Sequence, residues 1–192
     1  MKTNKKVGER IREIRESESI STAELAERSG LDENQINAIE ETGAIPSLSS
    51  LVKIARLLGV RLNALYDQSD EHGPVISRKD KYEENICSLN KKSNPHRNMA
   101  YYSLSSAKQG CNMEPFIIHI NPTPKGVDFV LSTHEGEEFI YCIEGVLEIK
   151  YGKETYILEE GDSIYYDSII PHHLHAAGEN GAKILAVVYT PN

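Results

Sequence analysis

The chain has 192 residues, of which 39% are apolar, and its formal net charge at pH 7 is −8. Its sequence contains no run near the roughly 18 consecutive apolar residues that a membrane-spanning helix requires, so we expect no membrane span. The charged N-terminus lacks an apolar stretch behind it, which argues against a secretory signal. Three cysteines without metal-type spacing are typical of a reduced protein, and we therefore expect a cytoplasmic location.

The two parts of the chain differ in charge. Residues 1–66 hold 10 basic and 10 acidic side chains, whereas residues 67–192 hold 11 basic and 19 acidic ones. All seven histidines lie beyond residue 66. This asymmetry favours two domains, and the polar stretch between them, which contains Gly73-Pro74, reads as a linker. The predicted boundaries are 5–66 for the first domain, 67–75 for the linker and 76–192 for the second domain.

The first 66 residues predict a compact unit of five helices. Apolar residues recur at helical spacing, and capping residues with a Glu or Gln three positions on mark the starts of the second and third helices. Gly30, Gly43 and Gly59 mark helix ends. The fifth predicted helix is a short one through Leu62 and Leu65.

Residues 23–31 and 46–60, together with Ile36, Ile39 and Glu40 between them, resemble the Cro/C1-type (XRE) helix-turn-helix family. This resemblance implies a sequence-specific transcriptional regulator that binds a double-stranded DNA operator, with the start of the third helix in the major groove. It also implies a homodimer on two half-sites. Asparagine can pair with adenine and glutamate can accept from cytosine. The implied DNA-binding residues are Thr22, Glu33, Asn34, Gln35, Asn37 and Ala38. The alternative is that these are solvated polar residues on a helical domain with another purpose.

The region beyond residue 76 predicts an all-β domain, because short strands follow one another without an intervening helix. Residues 79–98 are charged and rich in Asn and Ser, and we expect them to form an exposed excursion. The predicted strands cover residues 75–78, 101–104, 115–120, 129–131, 139–143, 147–151, 155–158, 163–166 and 184–189, and one more begins at His172.

Three polar side chains of this domain are expected to converge. In a strand, Glu138, Ile140 and Cys142 share one face. A turn through Gly136 brings His134 beside Glu138, and His172 can reach the same cavity from another strand. Two imidazoles and one carboxylate with open positions suit a divalent metal, non-haem iron among the candidates.

These residues stand in a pattern that resembles the two motifs of the cupin superfamily: Ser132-x-His134-x3-Glu138-x6-Gly145, then Gly161-x5-Asp167 and Pro171-His172. The resemblance implies a double-stranded β-helix (jelly-roll) barrel. Its metal ligands would be His134, Glu138 and His172, with Fe, Zn, Mn or Ni as the ion, while Ser132 stands where the family usually has a further histidine. The expected pocket residues are Tyr102, Ser132, Ile140, Cys142 and Tyr166. A metal-free cavity, in which the polar side chains bond to one another or to an organic ligand, is the alternative.

The sequence thus predicts a multidomain α plus all-β protein, in which a five-helix DNA-binding domain precedes a cupin barrel that senses a small-molecule effector. Under this interpretation the protein is a regulator and not an enzyme. The alternative is a cupin metalloenzyme of the mononuclear iron oxygenase or epoxidase type with an accessory helix-turn-helix domain, since such epoxidases resemble this chain in layout. Ser19 and Leu104 depart from their substrate-binding pattern, where a lysine and a tyrosine are expected.

Overall fold

A computed structural model describes residues 2–43, 47–66, 73–79, 86–88, 99–108, 110–122, 129 and 131–190. A helical N-terminal domain precedes a β-rich C-terminal domain, which confirms the predicted α plus all-β class. Among the residues described, no helix is long and apolar enough to cross a membrane. The helices are α1 (Lys2–Ser17), α2 (Thr22–Ser29), α3 (Glu33–Thr42) and α4 (Leu48–Leu57), followed by a 3-10 helix (Leu62–Leu65).

Local capping defines the ends of the helices that matter for function. The Ser21 hydroxyl accepts a hydrogen bond from the Glu24 N–H at the start of α2. Asp32 and Gln35 form a reciprocal capping box at the start of α3. Gly30 ends α2 with a left-handed φ of 67°, a conformation that glycine adopts at little cost. The turn between α2 and α3 is therefore encoded by residues within it.

The predicted fifth α-helix is corrected to a single turn of 3-10 helix over Leu62–Leu65. Four residues are too few for the i→i−4 hydrogen bonds of an α-helix, and the N-cap residue Arg61 makes no side-chain cap. The Asn63 N–H is instead bonded to the Glu114 carboxylate, which lies 51 residues away. This N–H is one of the first in the helix, which have no partner within it, so a side chain of the β domain caps the start of the helix.

Within the described residues, nine strands form two sheets. Strands β1-β2-β3-β9-β4-β7 make a six-stranded sheet in that spatial order, and β6-β5-β8 make a three-stranded one. Every paired strand is antiparallel to its neighbour. The strands are β1 (Ile86–Ser88), β2 (Met99–Ser103), β3 (Met113–Ile120), β4 (Glu137–Gly145), β5 (Leu147–Tyr151), β6 (Glu154–Leu158), β7 (Ser163–Asp167), β8 (His172–Ala176) and β9 (Ala182–Tyr189).

Three expectations for the β domain are corrected. Residues 75–78 form no strand, and Ile76 is largely exposed. Phe129 and Leu131 lie outside the strands, and the pairing there is a single bridge between Ser132 and His172. The predicted excursion over 79–98 lies mostly outside the described residues, but β1 falls within it and pairs with β2. The predicted domain boundaries stay predictions.

The inner faces of the two sheets carry the core of the β domain. Alternate residues of β3, β4 and β9 are buried, and the strand register places those buried residues side by side across the sheet. Phe116, Ile140 and Ala186 are one such row. This register determines which side chains enter the cavity.

The helical domain contacts the β domain through a buried carboxylate. Glu114 of β3 accepts hydrogen bonds from the Asn63 N–H at 3.2 Å and from the Tyr66 hydroxyl. From within the β domain, Glu114 accepts hydrogen bonds from the Ser105 hydroxyl at 3.0 Å and from the Cys111 thiol. Burial raises the pKa of Glu114, although these donors act in the opposite direction. One side chain thus joins the end of the helical domain to the barrel.

Candidate functional site

The three polar residues expected to converge lie together and are buried. Glu138 is in β4, His172 begins β8, and His134 lies just before β4. The ring Nε2 of His134 is 2.7 Å from Glu138 Oε1, and the Nε2 of His172 is 3.6 Å from the same oxygen. One candidate ligand atom from each residue lies within 4.8 Å of the others. This spacing suits a single metal ion.

Backbone geometry holds His134 in place. Gly136 has a φ of 104°, and a Cβ there would lie 1.9 Å from the Tyr189 carbonyl oxygen, so only glycine fits this turn. The His134 N–H donates to the Ser168 carbonyl at 3.0 Å. His172 is held by a two-way backbone bridge with Ser132. The site is therefore built on strands and their ends.

The second ring nitrogen of each histidine faces a backbone carbonyl. His134 Nδ1 is 3.0 Å from the Glu135 oxygen, and His172 Nδ1 is 2.8 Å from the Ile170 oxygen. A carbonyl only accepts hydrogen bonds, so both Nδ1 atoms carry the proton. Both Nε2 atoms are thus directed to the site, where each offers a lone pair to a metal or, when protonated, an N–H to Glu138.

The ionisation of the site follows from these contacts. Burial favours the neutral form of Glu138, but hydrogen bonds from His134 and His172 outweigh it and lower the pKa of Glu138 to about 2. Burial likewise disfavours charge on His172, yet the Glu138 carboxylate raises the pKa of His172 above its ordinary value. Without a metal, a proton shared with the histidines compensates the buried carboxylate.

This donor set fits a divalent metal. Two histidines with a defined tautomer and one carboxylate oxygen are three protein ligands, and an ion bound by them keeps open positions. Ser132 stands where the cupin pattern usually has a further histidine, and its hydroxyl donates to the His172 carbonyl at 3.4 Å.

The expected pocket residues divide between the two faces of the sheet. Ile140 and Cys142 are fully buried on the same face of β4 as Glu138. Tyr102 lies on the opposite face of β2 from Tyr101, where it is buried and its ring lies 4.9 Å from that of His119. The register pairs Tyr101 with the inward Ile118, so Tyr101 is the inward tyrosine of β2. The alternation of side chains along β2 fits either tyrosine as the inward one, and only the pairing of β2 with β3 decides between them.

Tyr166 lies on the inner face and contacts the site directly. It pairs with Glu138 across β7 and β4, and its hydroxyl donates to Glu138 Oε2 at 2.8 Å. Burial raises the pKa of Tyr166, so its hydroxyl keeps the proton that it donates. The sequence predicts Tyr166 in the pocket but carries no signal for its hydrogen bond to Glu138. The strand register that creates the bond is a tertiary feature.

His173 and His175 lie away from the three-residue group. They alternate with Leu174 along β8, and their rings stack on Phe129 with centroids 4.5 and 4.2 Å from it. His175 Nε2 is 3.9 Å from a Glu148 oxygen. Among the described residues they belong to no group suited to a metal.

The start of α3 presents the predicted DNA-contacting residues. Asn34 is exposed, and Asn37 and Ala38 are half-buried one turn further on. The Thr22 hydroxyl donates to Glu33 Oε1 at 2.8 Å, which ties the start of α2 to the start of α3. These side chains form one surface on the helix-turn-helix unit.

Gln35 has a structural role in addition to the predicted one. Its side-chain oxygen accepts the Asp32 N–H at 3.0 Å within the capping box of α3. That oxygen is engaged in the cap, so only the amide NH2 can serve as a donor to DNA. A glutamine three residues after a capping aspartate is the local signal for this role.

Comparison with known proteins assigns both domains. The family described as "Helix-turn-helix domain" matches residues 8–71, and "Cupin domain" matches residues 119–188. The HTH-type transcriptional regulator PuuR of Escherichia coli is 26% identical over 191 residues, which is 96% of this chain and 94% of that protein. The (S)-2-hydroxypropylphosphonic acid epoxidase of Streptomyces wedmorensis is 28% identical over 193 residues, covering 93% of each chain.

Solved structures show the same arrangement of domains. An HTH_3 family transcriptional regulator from Vibrio cholerae superposes with a TM-score of 0.67 at 18% identity, covering 99% of this chain and 98% of that one. A crystal structure of FeII HppE in complex with substrate gives a TM-score of 0.51 at 26% identity, with 97% of this chain and 100% of the other covered.

Proposed function

The chain is a helix-turn-helix transcriptional regulator with a C-terminal cupin domain, and we propose that the cupin pocket senses a small molecule through a bound divalent metal. The observation that carries this proposal is the combination of an exposed α3 N-terminus with a buried His134–Glu138–His172 group in one chain. A role on DNA implies a cytoplasmic location.

The DNA-binding role assigns base contacts to the first turns of α3. Asn34 is exposed there, and asparagine can form a bidentate pair with adenine in the major groove. The helical region 1–66 has no net charge, so phosphate neutralisation contributes little and affinity depends strongly on specific contacts. Recognition should therefore be lost when a single base-reading side chain is removed.

Selection of bound DNA from a random pool at low salt tests this role. Wild-type protein should enrich one sequence, and Asn34→Ala should enrich it weakly or not at all, since a bidentate base contact contributes about 1–3 kcal/mol. Asn180→Ala, at an exposed position in the β domain, is the matched control and should behave as wild type. A pool without enrichment by any of the three proteins would contradict the regulator.

The metal-binding role rests on the donor atoms. When bound, a divalent ion would supply Lewis acidity and open coordination positions for an effector. His134 and His172 would hold it through Nε2, and Glu138 through Oε1. Fe, Zn, Mn and Ni all suit this mixture of imidazole and carboxylate. Metal analysis of the purified protein, beside the DNA selection, identifies the ion.

Contacts between the domains provide a route from the pocket to the DNA-binding helices. Arg56 of α4 pairs with Glu135, the residue whose carbonyl accepts the His134 Nδ1–H. The Arg61 guanidinium donates to the carbonyls of Gly110 and Cys111, near the Glu114 contact. His134 is therefore bonded directly to Glu135, and Glu135 contacts α4 through Arg56. We propose that ligand binding uses these contacts to change how the helical domain is held.

We also propose a homodimer that forms through the outer face of the six-stranded sheet. Met113 and Tyr165 are each 63% exposed there, with Tyr141 and Tyr189 at 40% and 38%. These four side chains expose roughly 400 Å² of surface, judged from the size of large side chains. That area is about half of the roughly 800 Å² per partner in a stable interface, and half-buried Ile117, Leu185 and Val187 on the same face extend it. Two copies would present two recognition helices to one operator.

A second candidate function is a metal-dependent oxidation. The epoxidase relative spans nearly the whole chain, and a site with two histidines and one carboxylate is typical of non-haem iron oxygenases. Oxygen consumption by iron-loaded protein, together with product formation from a candidate substrate, favours this function. A metal-loaded protein that selects one DNA sequence and consumes no oxygen favours the regulator.

A further inference from the structure

The two oxygens of the Glu138 carboxylate have different neighbours. Oε1 lies 2.7 Å from His134 Nε2 and 3.6 Å from His172 Nε2. Oε2 accepts the Tyr166 hydroxyl at 2.8 Å. Both residues of this hydrogen bond are buried, with Glu138 8% and Tyr166 5% exposed. The carboxylate thus presents one oxygen to the histidines and the other to the tyrosine.

We propose that Tyr166 is a positioning residue that keeps Glu138 a one-oxygen metal ligand and so preserves an open coordination position for the effector. This proposal rests on the metal-binding role proposed above. If Oε2 turned to the metal, the Tyr166 hydroxyl would lose its partner inside the barrel. A buried hydroxyl without a partner is costly, and this cost opposes two-oxygen ligation.

The surrounding packing makes this hydrogen bond a fixed one. Tyr166 and Glu138 are direct cross-strand partners in β7 and β4. The Tyr166 ring also packs against the His172 and Tyr151 rings, each with its centroid 5.2 Å away. Tyr166 therefore touches two of the three proposed ligands, and its hydroxyl cannot swing away without moving the ring. Groups of this kind orient metal ligands and affect both affinity and coordination.

Tyr151 provides a matched control. It belongs to the same aromatic contact, but its hydroxyl donates to the Asp167 carbonyl at 3.2 Å in an exposed position. Removal of the Tyr151 hydroxyl therefore deletes a tyrosine hydrogen bond without changing the Glu138 carboxylate. Phenylalanine at either position keeps the ring and its packing.

Cobalt(II) substitution tests the proposal, because its visible spectrum reports coordination number. We expect Tyr166→Phe to bind Co²⁺ about tenfold or more weakly than wild type. Its visible absorption should be weaker, as for a higher coordination number, because the freed Oε2 joins the metal. Azide, a small anionic ligand, should change the spectrum of wild type and of Tyr151→Phe, and change that of Tyr166→Phe little.

The outcomes separate this proposal from the one it rests on. Wild-type protein that takes up no Co²⁺ overturns the metal-binding role and Tyr166's part in it. Wild type that binds Co²⁺, with Tyr166→Phe equal to it in spectrum and azide response, overturns only the role of Tyr166.

Infrared spectra of the metal-loaded wild type give a second test, which does not depend on whether Tyr166→Phe folds. The widely separated carboxylate bands of one-oxygen ligation, absent from metal-loaded Glu138→Gln, support the proposal, and closely spaced bands overturn it.

Discussion

At the scale of single residues, the ring orientation of two histidines decides what the pocket can hold. Their Nδ1 atoms bond to the carbonyls of Glu135 and Ile170, which leaves both Nε2 atoms facing Glu138. In the metal-free protein a protonated Nε2 donates a hydrogen bond to the Glu138 carboxylate. A bound metal would occupy the position of that proton. Proton and metal therefore compete for one site.

This competition predicts how the metal-free protein responds to pH. The folded pKa of His172 is raised, so its protonation stabilises the fold fully below its unfolded pKa, and this stabilisation is lost as the pH rises through the folded pKa. Glu138, with a pKa of about 2, stays ionised throughout this range. We expect the melting temperature of wild type to exceed that of His172→Gln by more at pH 6 than at pH 8.

The comparison with His172→Gln removes the contributions of other groups. The pKa of His175 is lowered by burial, so His175 acts in the opposite direction, but it is present in both proteins. Thermal unfolding in the presence of a chelator at both pH values makes the measurement. If the difference in melting temperature between wild type and His172→Gln were larger at pH 8 than at pH 6, protonated His172 would not stabilise the fold through Glu138, and the prediction would be wrong.

His134 and Glu138 could be placed side by side from the sequence because their spacing is local, whereas His172 comes from a distant strand and was expected there from the resemblance to the cupin motifs. The three residues lie together. Tyr102 is the predicted pocket residue of β2, but the sequence cannot show which tyrosine faces inward, since this depends on pairing between β2 and β3. The role of Tyr166 was hidden for the same reason, because β7 and β4 meet only in the folded sheet.

At the scale of elements, a buried ion pair holds α3, the proposed recognition helix, against α1. The Arg15 guanidinium donates to both oxygens of Glu40, at 2.7 and 2.8 Å, and Arg12 adds a third bond at 3.1 Å. Glu40 is 3% exposed. Its hydrogen bond raises the pKa of Arg15 above the ordinary value despite burial. The orientation of α3 thus depends on a charged contact inside the helical domain.

Replacement of Glu40 should be strongly destabilising. Glu40→Ala removes the buried carboxylate from Arg15 and leaves its guanidinium only the Ile20 carbonyl and the more distant, exposed Glu16, which costs about 3–5 kcal/mol. Urea unfolding monitored by the helical circular dichroism signal measures the loss. Glu13→Ala is the control, because Glu13 pairs with Arg10 on the exposed side of α1 and should contribute under about 1 kcal/mol. Equal losses in the two variants would mean that the buried pair does not hold α3.

Elements with their own signals were predicted well, and elements that depend on distant partners were not. The caps at Ser21 and Asp32 lie within the segments they define. The start of the 3-10 helix is instead bonded to Glu114 of β3, and β1 exists through its pairing with β2. Hydrogen bonds between residues far apart in sequence leave no local pattern to read.

At the scale of the whole molecule, the apolar outer face of the six-stranded sheet determines the proposed assembly. Tyr165→Lys would place a charge on the outer face of the edge strand β7, and we expect a monomer with reduced operator affinity. Ile157→Lys, which changes a 54% exposed residue on the other sheet, should remain a dimer. Light scattering after size-exclusion chromatography measures both masses. A wild-type monomer, or a dimeric Tyr165→Lys, would contradict this interface.

At this scale, the proposed coupling between the pocket and DNA binding rests on contacts between the two domains. Glu114 accepts hydrogen bonds from both domains, and the Arg56–Glu135 pair connects α4 to the residue after His134. Coupling free energies between two such sites are typically about 1–3 kcal/mol, which corresponds to a change of roughly 5- to 150-fold in affinity.

The most direct test is the affinity of the protein for its selected operator, measured by fluorescence anisotropy at one fixed salt concentration, without metal and with Co²⁺ bound. Wild-type affinity should change by about fivefold or more on metal binding. Glu138→Ala should bind the operator as metal-free wild type does and show no change with Co²⁺. Equal affinities for the metal-free and fully loaded wild type would contradict a pocket that controls DNA binding.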